Sequence, residues 1–382
     1  MGHICRLLSV NARDVEQILC AVGGSAAVAT VQEDEMTPMA LSMKPTGWFQ
    51  LGWSTDLAVG DVKPLRYFGQ HLVAYRTGSG RLVVLNAYCE HLGAHLGHGG
   101  SVDGEDIQCP FHGWQWSPEG RNTCIPYQKA TNRVRKIGTW ATAERDGVMY
   151  IWHDANGGEP LYEVPSIFDL FSGSGSVDDY HGLGEGGRYE TAELPIHPQY
   201  AAENGVDFAH FKYVHRADEI PTVVNREFGE YDFKTELALN FKRRGADGEF
   251  ETVVGRTRAS LLGLGLGFSH ADGVGAICSL TAVTPVDDEL SILRFSTWAS
   301  KEDGEDESRV LKRQRNAIRQ VQADIAIWEH QRYTQPPGLA TAEAAGFRAI
   351  RKWARRFYPE GELGHGAAEQ AAGTDELQAE NA

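Results

Sequence analysis

The sequence predicts an α+β chain with two folded domains. One is an all-β domain over residues 45–155; the other, over 189–358, is an antiparallel sheet flanked by helices. Three observations carry this. Short apolar runs separated by Gly-rich turns fill the first region. Longer apolar and β-branched runs fill the second, and apolar residues at helical spacing occur around them. A chain of 382 residues has room for two domains of ordinary size.

Residues 1–44 read as a poorly ordered extension, with an acidic, polar stretch from Val31 to Thr37 and three methionines (Met36, Met39, Met43) before the first aromatic segment. From Trp48 the pattern becomes β-rich. His71–Arg76 and Arg81–Leu85 read as strands split by Thr77-Gly78-Ser79-Gly80, a hairpin signal. Ile107–Cys109 and Trp114–Trp116 continue the domain, Ser117-Pro118-Glu119-Gly120 turns it, and Val148–Trp152 closes it. Residues 156–188, rich in Gly, Ser and Asp, read as a linker or excursion. Strands are expected at 229–241, 250–269, 274–284 and 289–299, and helices near 198–215, 308–333 and 341–357. The five acids among Glu302–Glu307 read as a solvated loop at a helix N-terminus. The tail 359–382 carries six acids and no Lys or Arg, the composition of a disordered segment.

The formal net charge of −16 and the lack of a basic block exclude nucleic acid as the expected partner. No run approaches the ~20 apolar residues that span a bilayer. The N-terminus shows no signal-peptide pattern, and Arg6 argues against myristoylation. Cys5, Cys20, Cys124 and Cys278 form no disulfide framework, which fits a reducing, cytoplasmic setting.

Two Cys–His pairs carry the strongest chemical signal: Cys89-x-His91 and, after residues 92–108, Cys109-x-x-His112. Two thiolates and two imidazoles in this order suit a [2Fe–2S] cluster with sulfur on one iron and nitrogen on the other. Neutral imidazoles in place of thiolates raise the reduction potential, so such a site relays electrons. A Cys2His2 zinc site is the rival. Zinc fingers pair Cys with Cys and His with His on a helix, whereas each half here mixes the two inside a Gly-rich loop. His95 and His98 lack partners at ligand spacing and read as structural or solvent-facing.

A second signal lies in Asn204-x-x-Asp207-x-x-His210-x-x-x-x-His215. Five residues on an ideal helix turn about 500°, so the two histidines diverge by about 140° unless the helix kinks or ends between them. Asp324 sits beside the apolar stripe Leu311, Ile318, Val321, Ile325 and Trp328 of an amphipathic helix. A buried carboxylate needs a partner, which an arginine or a cation could supply. With a cation, His210, His215 and Asp324 make a two-His, one-carboxylate triad that holds Fe(II) and leaves positions open. Beside an electron-relay motif the triad is the favoured reading. The segment Ser260–Phe268 could line a pocket for a large apolar molecule or be ordinary sheet packing with bulges.

With both motifs in place, residues 45–358 resemble the oxygenase (α) component of Rieske non-haem iron oxygenases. Ala87-Tyr88-Cys89, Cys124-Ile125-Pro126-Tyr127 and Ile151-Trp152-His153-Asp154 are similar to the branch of 3-ketosteroid 9α-hydroxylases and cholesterol 7-desaturases. The resemblance implies a Rieske domain followed by a helix-grip-like catalytic domain. It implies that Cys89, His91, Cys109 and His112 hold the cluster and that His210, His215 and Asp324 hold the mononuclear iron. It also implies that Asp207 bridges His112 of one subunit to His210 of the next in a homotrimer, with Asn204 near the iron. Electrons would come from NAD(P)H through a separate reductase or ferredoxin, and O2 would hydroxylate a small apolar, steroid-like or polycyclic substrate. The alternatives are a ring dioxygenase, an O-demethylase, or a Rieske electron-transfer protein without catalytic iron.

Overall fold

The structure, a computed structural model, describes residues 41–244, 249–272, 275–302 and 304–359. The expected extension up to residue 40 and the tail from 360 lie outside the described residues. The short piece 41–44, grouped above with the extension, packs into the fold. Met43 is buried, and the Ser42 carbonyl oxygen lies 2.8 Å from Nε2 of His197.

The first domain contains β1 (Gly47–Trp53), β2 (Val62–Tyr67), β3 (Gln70–Arg76), β4 (Leu82–Asn86), β5 (Ser101–Asp103) and β6 (Asp106–Gln108). It continues through β7 (Gln115–Trp116), β8 (Asn122–Cys124), β9 (Thr139–Trp140), β10 (Thr142–Arg145) and β11 (Val148–His153). These build three small antiparallel sheets in the orders β1-β11-β10, β2-β3-β4-β9 and β5-β6-β7-β8. The predicted hairpin is present: Thr77–Arg81 links β3 to β4, closed by Thr77 N–H donating to the Arg81 carbonyl at 3.0 Å.

The second domain is one seven-stranded antiparallel sheet. Its strands are β12 (Arg188–Glu190), β13 (Thr222–Phe228), β14 (Asp232–Arg244), β15 (Phe250–Leu262), β16 (Leu266–Ala271), β17 (Ile277–Pro285) and β18 (Ser291–Ala299). Their order is β12-β18-β17-β16-β15-β14-β13. The expected strand 250–269 is a hairpin that turns at Gly263, whose φ of +58° suits glycine. The stretch 156–188 is a packed excursion. Its Val164, Ile167, Phe168 and Phe171 join Trp48, Trp152, Phe268 and Trp298 in one core.

The helices are α1 (Pro198–Glu203), α2 (His210–Tyr213), α3 (Glu307–Trp328) and α4 (Thr341–Ala354). The expected single helix 198–215 is broken between Glu203 and His210. At Gly205 a Cβ would stand 3.0 Å from the Phe233 ring, and the Asp207 carboxylate accepts from His210 N–H at 3.2 Å, starting a new turn. Asp306 caps α3 by accepting from Arg309 N–H at 2.9 Å, as the acidic loop suggested. Val321, Ile325 and Trp328 seat α3 against Ile196, Val283 and Phe295.

A polar seam joins the domains. Buried Arg294 on β18 donates to Glu190 at 2.6 Å, to the Gln50 carbonyl at 3.1 Å and to the Tyr67 hydroxyl at 2.8 Å. Trp53 donates to the Ser296 hydroxyl at 2.8 Å. Arg294→Met removes the donor to the Tyr67 hydroxyl and the charge partner of Glu190, while the Gln50 carbonyl keeps the Thr284 hydroxyl at 2.8 Å, so a loss of about 2–4 kcal/mol of unfolding free energy is expected. A chemical-denaturation midpoint equal to wild type would show that the seam contributes nothing.

Candidate metal centres

Cys89 and Cys109 each open a tight loop of the same build. Cys89 N–H donates to the Ala94 carbonyl and Gly93 N–H to the Cys89 carbonyl, both at 2.9 Å. Cys109 N–H donates to the Trp114 carbonyl at 2.8 Å and Gly113 N–H to the Cys109 carbonyl at 3.1 Å. Glycines with φ of +77° and +70° close the loops at positions 93 and 113. The cysteines are only 2 % and 3 % exposed, and the His91 and His112 rings lie 4.7 Å apart. Two thiols and two imidazoles therefore converge from facing loops.

The donor set fits an asymmetric [2Fe–2S] cluster. Nδ1 of His112 is buried without a hydrogen-bond partner among the described residues, a costly state that a metal bond relieves. Burial pushes the Cys89 thiol up to about 11, so it stays protonated unless a cation offsets the charge. Two tryptophans that the sequence reading did not single out complete the site. Trp114 stacks on His91 at 4.3 Å, and Trp116 N–H points to the Cys89 sulfur at 3.3 Å. Their i, i+2 spacing directly after the second pair was the available signal.

In the second domain, potential ligand atoms of His210, His215 and Asp324 all lie within 4.8 Å of one another. The five-residue spacing that diverges on a regular helix works because the chain widens here. His215 N–H reaches back to the His210 carbonyl at 3.4 Å, an i→i+5 turn that ends at Arg216 with φ +59°. The two rings come to 4.9 Å. Asp324 Oδ1 lies 3.3 Å from Nε2 of His215. This short pair is not a comfortable ion pair. Burial, then the Asp207 charge, raises the Asp324 carboxyl to about 7. Burial, then His210, lowers His215 to about 4. Burial lowers His210 as well. Both partners are driven toward neutrality, whereas a divalent cation would let the carboxylate ionise and keep the imidazoles neutral.

The outer contacts set the ligand atoms. Nδ1 of His210 faces the Asp207 carbonyl oxygen, which can only accept, so Nδ1 carries the proton and Nε2 keeps its lone pair. The Asn204 amide nitrogen lies 3.4 Å from that Nε2. Behind Asn204, Glu203 is held by Arg351 at 2.8 and 3.0 Å. The Asp207 side chain remains 33 % exposed.

All three candidate ligands line a cavity of about 700 Å³ between the sheet and α3. Leu261, Leu266 and Phe268 contribute apolar wall while being buried in the sheet core, so Ser260–Phe268 both lines the pocket and packs as sheet, in continuous register without the expected bulges. The sequence reading missed β12, β13 and the polar α3 residues facing the cavity.

Comparison with known proteins places these features. Residues 47–138 match the Rieske [2Fe-2S] domain family, and residues 151–358 match the 3-ketosteroid 9alpha-hydroxylase C-terminal domain family. The oxygenase component of 3-ketosteroid-9-alpha-monooxygenase from Rhodococcus rhodochrous is 27% identical, over 82% of this chain and 83% of its own. Cholesterol 7-desaturase from Xenopus laevis is 30% identical, over 82% of this chain and 72% of its own. Among solved structures, dicamba monooxygenase bound to dicamba superposes with a TM-score of 0.62 at 14% identity, covering 88% of this chain and all of that one. A Pseudomonas putida NdmA mutant with caffeine gives 0.62 at 18% identity, covering 81% and 89%. At such identities the structural likeness speaks for the fold, and it bears out the expected α+β architecture. The chain belongs to the Rieske non-haem iron oxygenases, as an oxygenase component with a catalytic domain of the 3-ketosteroid 9α-hydroxylase type.

Proposed function

We propose that the chain hydroxylates a neutral, apolar, fused-ring substrate of steroid-like shape, with one oxygen atom of O2 entering the product. In this reading Cys89, His91, Cys109 and His112 hold the [2Fe–2S] cluster, and His210, His215 and Asp324 hold a single Fe(II). The convergence of the latter three at the wall of an apolar cavity carries it. When bound, the cluster supplies single electrons and the iron supplies open positions for O2 chemistry.

The chain's own residues do the rest. Trp116 N–H draws charge from the Cys89 sulfur and favours the reduced state. The Asp207 carbonyl fixes the His210 tautomer. The apolar wall excludes water and holds a substrate carbon at the ligand end. Asp207 also serves as the electron bridge to His112 of a neighbouring subunit in a homotrimer. Its partly exposed carboxylate, whose hydrogen bond among the described residues is to His210 N–H of its own turn, supports that role. Electrons reach the cluster from NAD(P)H through a separate reductase or ferredoxin. Cys124 and Cys278, which form no disulfide, support a cytoplasmic setting. No described helix is long and apolar enough to cross a membrane.

Metal and acid-labile sulfide analysis with EPR tests the cofactor set. About three irons and two sulfides per chain are expected. About two irons would make the chain a relay without a catalytic site, and zinc without sulfide would end the Rieske assignment.

A further inference from the structure

One wall of the cavity is a polar face of a single helix. Asp324, Gln320, Asn316 and Arg313 fall on successive turns of α3 and all line the cavity. At about 1.5 Å per residue, the last three stand about 6, 12 and 16 Å from Asp324 along the helix axis. The sheet contributes apolar surface, including Leu261, Leu266, Phe268 and Ile277.

Several polar groups in the cavity wall are already committed. Arg313 is clamped by Glu305 at 2.9 and 2.5 Å and donates to the Ala276 and Ser300 carbonyls. Asn240 donates to Glu219 at 3.3 Å, and the Ser269 and Ser279 hydroxyls bond each other at 2.6 Å. Arg216 and Asp218 contribute opposite charges. Gln320 has no hydrogen-bond partner among the described residues, and Asn316 accepts from Arg319, which leaves its amide N–H groups free. Both are solvent-exposed, so a bound molecule replaces water there with its own oxygen.

We infer that Gln320 and Asn316 act as a ruler for substrate. They bind an uncharged carbonyl or hydroxyl oxygen one to two helical turns from the carbon presented beside Asp324. The inference rests on the oxygenase reading above and adds the substrate's polarity, its length and the residues that read them. The substrate class is neutral because Arg313, the cation on the polar helix face, is matched by Glu305, and the other charged side chains of the wall away from the ligand cluster, Arg216 and Asp218, are one of each sign.

The test is equilibrium binding to the metal-loaded protein, read by tryptophan fluorescence, which Trp328 in the cavity wall makes sensitive. The probes are androst-4-ene-3,17-dione, its 3-deoxy and 17-deoxy analogues, and a steroid carboxylate. One of the two deoxy analogues should bind about three- to tenfold more weakly than the dione, the worth of one neutral hydrogen bond. Gln320→Leu should remove that preference by weakening the dione and the analogue that keeps the read oxygen while sparing the analogue that lacks it, and Gln320→Asn should restore part of it. The carboxylate should bind more weakly than the dione. An unchanged preference in Gln320→Leu, or tighter binding of the carboxylate, overturns the ruler and leaves the oxygenase reading standing. If no probe binds, the steroid-like reading falls and the ruler with it.

Discussion

Asp324→Ala is expected to lower the iron content from about three to about two per chain while sulfide stays at about two and the Rieske EPR signal is unchanged. Product formation should fall more than about 100-fold, since even outer-shell partners of a metal cost up to that much. The physical basis is the placement of the carboxylate. It is 8 % exposed on the packed face of α3, within reach of both histidines, and no arginine is paired with it among the described residues. The helix itself should survive, because Val321, Ile325 and Trp328 anchor it independently. A variant that keeps its third iron and its turnover would remove Asp324 from the metal site.

Asp207 is expected to give the second large effect with a different signature. Asp207→Ala should keep both metal sites loaded and let a reductase reduce the cluster normally, yet product should fall about 100-fold or more. Asp207→Asn separates the two roles of the residue. Asn caps a helix as well as Asp does, so it preserves the bond to His210 N–H. It cannot supply a carboxylate to a second imidazole. Loss of product with full iron in the Asn variant assigns the bridge. Wild-type turnover in that variant, with iron loss in the Ala variant, would reduce Asp207 to a cap.

The cluster loops were legible because each is local. A cysteine, a histidine and a loop-closing glycine within a few residues leave little for distant packing to decide. Asp324 was legible through helical periodicity, since a carboxylate inside an apolar stripe needs a partner. The meeting of His210 and His215 was legible only as a condition. The spacing requires a departure from a regular helix, and the i→i+5 turn that provides it depends on Asp207 and on Gly205 packing against Phe233. The short edge strand β12 and the exposed β13 were not legible. β12 has three residues, and β13 is largely exposed, so neither has an alternation to read. Gln320 and Asn316 were hidden for a related reason. A polar residue on a helix reads as solvent-facing until the sheet opposite it is known.

The seam at Arg294 sets what can be exchanged in this chain. Its partners lie on both sides of the domain boundary: Gln50 and Tyr67 in the cluster domain, Glu190 in the catalytic domain. The tip of the β15–β16 hairpin adds a steric condition, because at Gly265 any Cβ would collide with the Trp48 carbonyl oxygen. A chimera that joins a foreign cluster domain to this sheet therefore has to bring a matching acceptor set and a backbone that tolerates that approach. The first domain and the sheet thus meet at a boundary that a foreign partner has to match twice, once in its acceptors and once in the clearance at Gly265.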